Sequence, residues 1–395
     1  MDAHLKESKG DRIIKEKVWV GPSSEMSRLI SISIREYGES YVDPLMILDV
    51  GIVRLRVKLF MQAMPRVKPH YAIKANPEPA VLRTVHQEKG GFEVASLQEI
   101  DLLENLGFLS DEVQYSNPIK SERSIRVAAE KGVKWFTFDS ECELRKIATL
   151  SPNACLAMRI DVSNEGSDWP LNEKFGVRSD EVNKLLSVAF NLRANLRGLT
   201  FHVGSQCKNP QNWVEAIRKI KHLLTETKKM GFTIKLLNLG GGFPIELTRP
   251  VPSIKKIGEL INRELFDIPD HIRVIAEPGR FLVGESACLM TQVITISEKD
   301  GQKWIYLDVG VFGGLLELSQ GLPYLLWSPL AGNREKFKIA GPTCDGMDIL
   351  PGSYSLPARL SPGDFVFILN AGAYTNVYSS NFNGFPSPAV ICLNP

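Results

Sequence analysis

The chain has 395 residues, 44% apolar and 23% charged, with 47 Lys and Arg against 45 Asp and Glu. That is ordinary globular composition, and it excludes a disordered chain, a coiled coil or a small disulfide scaffold. The formal charge of only +2 argues against nucleic acid or an acidic membrane surface as the main partner, and no apolar run approaches the ~20 residues of a spanning helix.

In chain order, the pattern is a short apolar strand followed by a helix, repeated. His70 to Ile73 leads into a helix from Pro77, and Phe92 to Ala95 into LQEIDLLENLG. Val113 to Tyr115 precedes KSERSIRVAAEKG, and Trp135 to Phe138 precedes ECELRKIATL, with Asp139 or Ser140 as N-cap. Cys155 to Ile160 precedes a helix near Ser179–Phe190. Leu199 to Val203 precedes one from about Pro210 to Met230. Ile234 to Leu239 precedes Ser253–Leu265, and Arg273 to Ala276 is the last strand of the run. Short Val-, Ile-, Leu- and Phe-rich strands suit a parallel sheet buried on both faces. Eight such units predict a TIM-type (β/α)8 barrel over residues 40–283 rather than an open doubly wound sheet. After Gly284 the texture becomes strand, turn and strand with Pro/Gly punctuation. Residues 284–395, joined by 1–39 with a strand-like Val18–Val20, are expected to form a β-barrel or sandwich domain.

The N-terminal MDAHLKESKGDRIIKEKVWV has no apolar core of the secretory type. The six cysteines are scattered, with no CxxC pair and no zinc-type cluster. A cytoplasmic protein without a metal site is therefore expected, with most cysteines as buried filler.

The chemically notable residues fall at strand ends. Lys74 ends the first strand, Glu93 lies in the second, and Arg159 is near the end of the fifth. His202 and Ser205 end the sixth, Gly240, Gly241 and Gly242 follow the seventh, and Glu277 and Arg280 follow the eighth. In a barrel the C-terminal mouth carries the site, so these residues would converge there. A lysine in that mouth would be desolvated, its pKa would fall, and it could form the imine that holds pyridoxal phosphate; most lysines are simply solvated. LGGGFP offers backbone N–H groups to a phosphate or is merely a tight turn, and it is not the dinucleotide fingerprint. In AEPGR, Glu277 and Arg280 could serve a pyridine nitrogen and a phosphate, or could form a structural ion pair. His202 could lie flat on a ring or be an ordinary core histidine. In GPTCDGMD, Cys344 could donate a proton and Asp345 could bind an ammonium group; the plain alternative is an Asp-Gly turn.

YAIKANP, GFEVAS, FHVGSQ, LGGGFP, AEPGR, GPTCDGMD, NAGAYT and FNGF occur in that order. Over residues 45–390 the chain resembles the pyridoxal-phosphate-dependent ornithine/lysine/diaminopimelate decarboxylases, which share a barrel-plus-β-domain fold with alanine racemase. CDG and FNGF look like the ornithine/lysine branch. The resemblance implies Lys74 as the Schiff-base lysine, Glu277 on the pyridine nitrogen and His202 stacked on the ring. It implies Ser205, Gly240, Gly241, Gly242, Arg280 and Tyr374 as phosphate ligands, with Arg159 and Glu93 lining the cofactor. Cys344 would protonate the substrate Cα, and Asp345 would meet its distal ammonium group. The GPTCDG loop would reach the partner's site in a two-fold homodimer, with Lys174 and Asp348 pairing across the interface. The implied reaction is decarboxylation of ornithine or lysine to a diamine.

Three positions depart from the family pattern. Glu93 replaces a common Asp, and Asn238 stands where LDIGGG is common. Gly313–Trp327 lacks an aligned Tyr-Asp pair, with Glu317 two or three positions early. Losing one of two carboxylates for the distal amine would weaken selectivity by roughly 1–3 kcal/mol. That motivates the alternative of a modified or larger amino acid, as in siderophore or antibiotic assembly. A non-catalytic regulatory homologue would have lost residues retained here, and a racemase would need a second base where Cys344 stands.

Overall fold

Short buried strands alternate with capped helices in the computed structural model, which describes residues 22–394. Eight parallel strands close into a barrel: Val67–Ala72, Gly91–Val94, Gln114–Tyr115, Trp135–Phe138, Cys155–Ile160, Leu196–Phe201, Leu236–Asn238 and Arg273–Ala276. The last strand pairs with the first, Ile275 opposite Lys68, which completes the ring. The strands are almost continuously buried, as expected when helices cover the outside and side chains fill the inside.

Four of the barrel helices start where a serine can satisfy orphan N–H groups. Ser96, Ser121, Ser140 and Ser253 each accept from the backbone three residues on. Of the two caps considered before ECELRKIATL, Ser140 is the one used. The glycine turn after the seventh strand is anchored by Phe243, which packs edge-on against Phe60 at 5.0 Å and stacks on Trp213 at 4.9 Å.

The C-terminal part is a separate mixed sheet of eight strands. Its spine is Ala287–Lys299, which pairs antiparallel with Phe365–Ile368 along its first half and with Gln302–Leu307 along its second. Leu45–Asp49 lies inside the range expected for the barrel, yet it pairs with this spine and with Ala389–Leu393. Two long helices, Ser24–Tyr37 and Val50–Ala63, and two short ones, Arg280–Val283 and Leu316–Ser319, were not anticipated. The strand-like Val18–Val20 lies outside the described residues. All six cysteines are free, but only Cys207 and Cys288 are buried; Cys155 and Cys392 are part-exposed and Cys142 is exposed, so most are not the buried filler expected.

Candidate active site

A cavity of about 500 Å³ opens at the C-terminal mouth of the barrel. Lys74, Arg159, His202, Ser205, Gly241, Gly242, Glu277, Arg280 and Tyr374 all line it. Gly240 does not line it, and Glu93 sits beside Lys74 with only 1% exposure.

Lys74 sits in a single 3-10 turn, Ile73–Ala75, directly after the first barrel strand. That turn is fastened to the β domain. Ala75 O accepts from Tyr374 N at 2.7 Å, and Asn76 Nδ2 donates to Gly372 O at 2.9 Å. Tyr374 adopts φ +67°, a left-handed conformation that costs a tyrosine energy, and this aims its side chain at the mouth. Lys74 Nζ donates to Glu93 Oε2 at 3.1 Å. The lysine pKa was expected to fall. Burial does act downward, but Glu93, Tyr374 and Glu277 outweigh it and hold the amine above its ordinary value. Burial raises Glu93 in turn, against the pull of Lys74.

Glu277 and Arg280 do not pair with each other. Glu277 Oε1 accepts from Ser116 Oγ at 2.5 Å and from Asn238 Nδ2 at 2.6 Å, so Oε2 is left without either donor. Asn238 also accepts from Gly240 N at 2.9 Å, tying the carboxylate to the glycine turn. Arg280 instead grips Glu317, Nη2 to Oε1 at 2.5 Å and Nη1 to Oε2 at 2.9 Å. Glu317 is therefore committed and, at 2% exposure, lies outside the cavity.

The three glycines are required by close backbone approach. A Cβ on Gly240 (φ +62°) would lie 2.1 Å from Phe201 O, and one on Gly242 (φ +95°) 2.2 Å from Gly204 O. A Cβ on Gly241 would crowd Glu277 O and His202 Nε2. His202 Nδ1 accepts from Gly204 N at 3.0 Å, which leaves the ring proton on Nε2. Burial, with Arg159 and Lys74 close by, holds His202 well below its usual pKa, so the ring is neutral at pH 7.

Cys344 and Asp345 are not brought to this cavity within the chain. Both are exposed on a loop of the β domain. Asp345 Oδ1 accepts from Met347 N at 2.8 Å, the turn geometry that is the plain alternative for an Asp-Gly pair. Cys344 N donates to Asn383 Oδ1 at 3.1 Å, from the FNGF segment. Within the chain the Asp348 carboxylate is buried in its own loop, accepting from Val311 N, Thr343 N and Thr343 Oγ1. Lys174 lines the cavity rim.

The supports of the site were visible in the sequence only in part. Asn238 and Glu317 stand out there as departures from the family pattern, but their partners, like those of Asn76, Ser116 and Tyr324, come from other parts of the chain.

The site fits pyridoxal phosphate. Two buried polar atoms, Glu93 Oε1 and Arg280 Nε, have no partner among the described residues, and buried polar groups are normally paired. A parallel barrel whose mouth sets a lysine amine, a neutral imidazole, a carboxylate and a guanidinium around one cavity defines a pyridoxal-binding barrel. Residues 50–284 match the family model for the pyridoxal-binding domain of pyridoxal-dependent decarboxylases, and the chain belongs to that family. Ornithine decarboxylase of Schizosaccharomyces pombe is 33% identical, with 89% of this chain and 84% of that one covered. Antizyme inhibitor 2 of Xenopus laevis is also 33% identical, with 88% and 80% covered. The crystal structure of lysine/ornithine decarboxylase from Vibrio vulnificus complexed with cadaverine superposes with a TM-score of 0.86 at 32% identity, covering 95% of this chain and 100% of that one. No described helix is long and apolar enough to cross a membrane.

Proposed function

We propose that this chain decarboxylates a basic amino acid, ornithine or lysine, to a diamine, as a cytoplasmic homodimer with two shared sites. The observation that carries the reading is the gathering of Lys74, His202, Glu277, Arg280 and Tyr374 around one cavity while Cys344 and Asp345 stand exposed elsewhere.

Lys74 would hold the cofactor through its amine, which Glu93 orients through their hydrogen bond. Glu277 would offer its Oε2 to the ring nitrogen, and the neutral His202 would pack against the ring. Ser205, the glycine turn, Arg280 and Tyr374 would hold the phosphate, and Arg159 would keep the mouth cationic. When bound, the cofactor supplies the electron sink for the bond to the departing CO2. Cys344 then delivers one proton from its thiol to Cα. Asp345 meets the distal ammonium group and so selects a basic side chain. In this reading a second subunit presents the exposed loop that bears both residues, as the family resemblance implies, and also excludes water.

Incubation of the purified enzyme with ornithine, lysine, arginine and diaminopimelate, with CO2 measured, tests the reading. Release from ornithine or lysine is expected, and no release from any of the four contradicts it. A modified or larger amino acid is the second reading. It is favoured by the commitment of Glu317 to Arg280, which leaves Asp345 as the one carboxylate proposed for a distal amine.

A further inference from the structure

Arg280 is held on three sides and open on one. Its two terminal nitrogens face the Glu317 carboxylate at 2.5 and 2.9 Å. Tyr324 OH lies 3.2 Å from Nη1 and donates to Glu317 Oε2 at 2.5 Å. The Tyr374 ring covers a face of the guanidinium, 4.9 Å from its carbon. The remaining edge carries Nε, which is buried and has no acceptor among the described residues. A guanidinium presents its donors in a rigid planar fork, so fixing one edge fixes the direction of the other.

We infer that Glu317, held by Tyr324, is a positioning residue that locks Arg280 so that its Nε edge meets the cofactor phosphate. The inference rests on the reading of Arg280 as a phosphate ligand. It gives the altered Gly313–Trp327 segment a task other than reading the substrate amine. Glu317 comes from the short helix Leu316–Ser319 of the β domain, 37 residues along the chain from the barrel's Arg280. The β domain thereby sets the geometry of a phosphate ligand that belongs to the barrel.

Glu317 has two opposing effects on an incoming phosphate. It orients the arginine, which strengthens binding, and it carries a like charge, which weakens binding. Removing the charge while keeping the shape therefore gives opposite signs for the two. The test uses full-length enzyme freed of cofactor by dialysis, titrated by visible absorbance with pyridoxal phosphate and separately with pyridoxal. Glu317→Gln is expected to weaken pyridoxal phosphate about ten-fold, the scale of one charge-assisted hydrogen bond. Pyridoxal, which lacks the phosphate, should keep its affinity. Arg280→Lys should weaken pyridoxal phosphate by itself, and the double variant should be no weaker than Arg280→Lys, because the two act as one unit. Unchanged or tighter pyridoxal phosphate binding in Glu317→Gln overturns the inference, as does equal weakening of pyridoxal. If Arg280→Lys leaves the phosphate form unaffected, the reading of Arg280 itself fails. Should Glu317→Gln not fold, Tyr324→Phe decides in its place. A loss specific to the phosphate form and absent on an Arg280→Lys background supports the lock, and no loss overturns it.

Discussion

The barrel mouth and the Cys344 loop are built in different ways. In the mouth, Lys74, Glu277, Arg280 and His202 each have at least one side-chain or backbone partner that fixes them. On the loop, the backbone is fixed by Asp348 and Asn383, but the Cys344 and Asp345 side chains project into solvent. A preorganised first half and an exposed second half suit a site in which one chain holds the cofactor and another delivers the proton and reads the substrate. Preorganised groups bear on affinity as well as on rate, whereas a delivered acid bears on rate alone.

The largest effect should come from the mouth. Lys74→Ala is expected to abolish the visible absorbance of the bound cofactor and to cut decarboxylation by roughly 10³-fold or more. A spectrum that survives this change would break the assignment of Lys74, and an unaltered protein that never binds the cofactor would favour a non-catalytic homologue. Next comes the loop. Cys344→Ala should lower kcat by roughly 10²-fold, the loss of one general acid, with an unaltered cofactor titration. A matching loss of cofactor affinity would erase the distinction between the two regions.

Smaller effects sharpen the contrast. Asp348→Asn replaces a buried carboxylate that accepts three hydrogen bonds. Thermal or chemical denaturation should register a loss of about 1–3 kcal/mol, with kcat reduced and cofactor affinity kept. The smallest effect on activity concerns His70, buried in the first barrel strand, whose pKa burial pushes down to about 3. Unfolded histidine titrates near ~6.5. Between those values the unfolded chain binds the extra proton, so stability is fully present above pH 6.5 and falls by up to ~1.4 kcal/mol per pH unit on acidification. Denaturation series at pH 7 and pH 4.5 should show a smaller difference for His70→Asn than for the unaltered enzyme. Equal differences would contradict a buried neutral His70.

Much of the barrel was legible because most strands are compact apolar runs and most helices open on a serine or proline signal. The helix Val50–Ala63 was not, because VGIVRLRV reads equally as a strand and its cap, Asp49, ends a real strand of the other domain. The lining of the cavity was legible from motifs at strand ends. Its supports were not, since Ser116 meets Glu277 across 161 residues and Glu317 meets Arg280 across 37, and a lone polar residue carries no local sign of such a partner. The direction of the Lys74 shift was misjudged for the same reason. Burial alone lowers a lysine, and the carboxylates that reverse it come from other strands.

The central claim is that cofactor and proton donor come from different chains, and mixing two impaired variants tests it directly. Lys74→Ala and Cys344→Ala should each keep about 1% of the unaltered activity or less as homodimers. After subunit exchange in equal amounts, half of the dimers should be mixed and carry one intact site of two, restoring about a quarter of the unaltered activity. Activity that stays at the level of the separate variants after exchange would contradict the shared site.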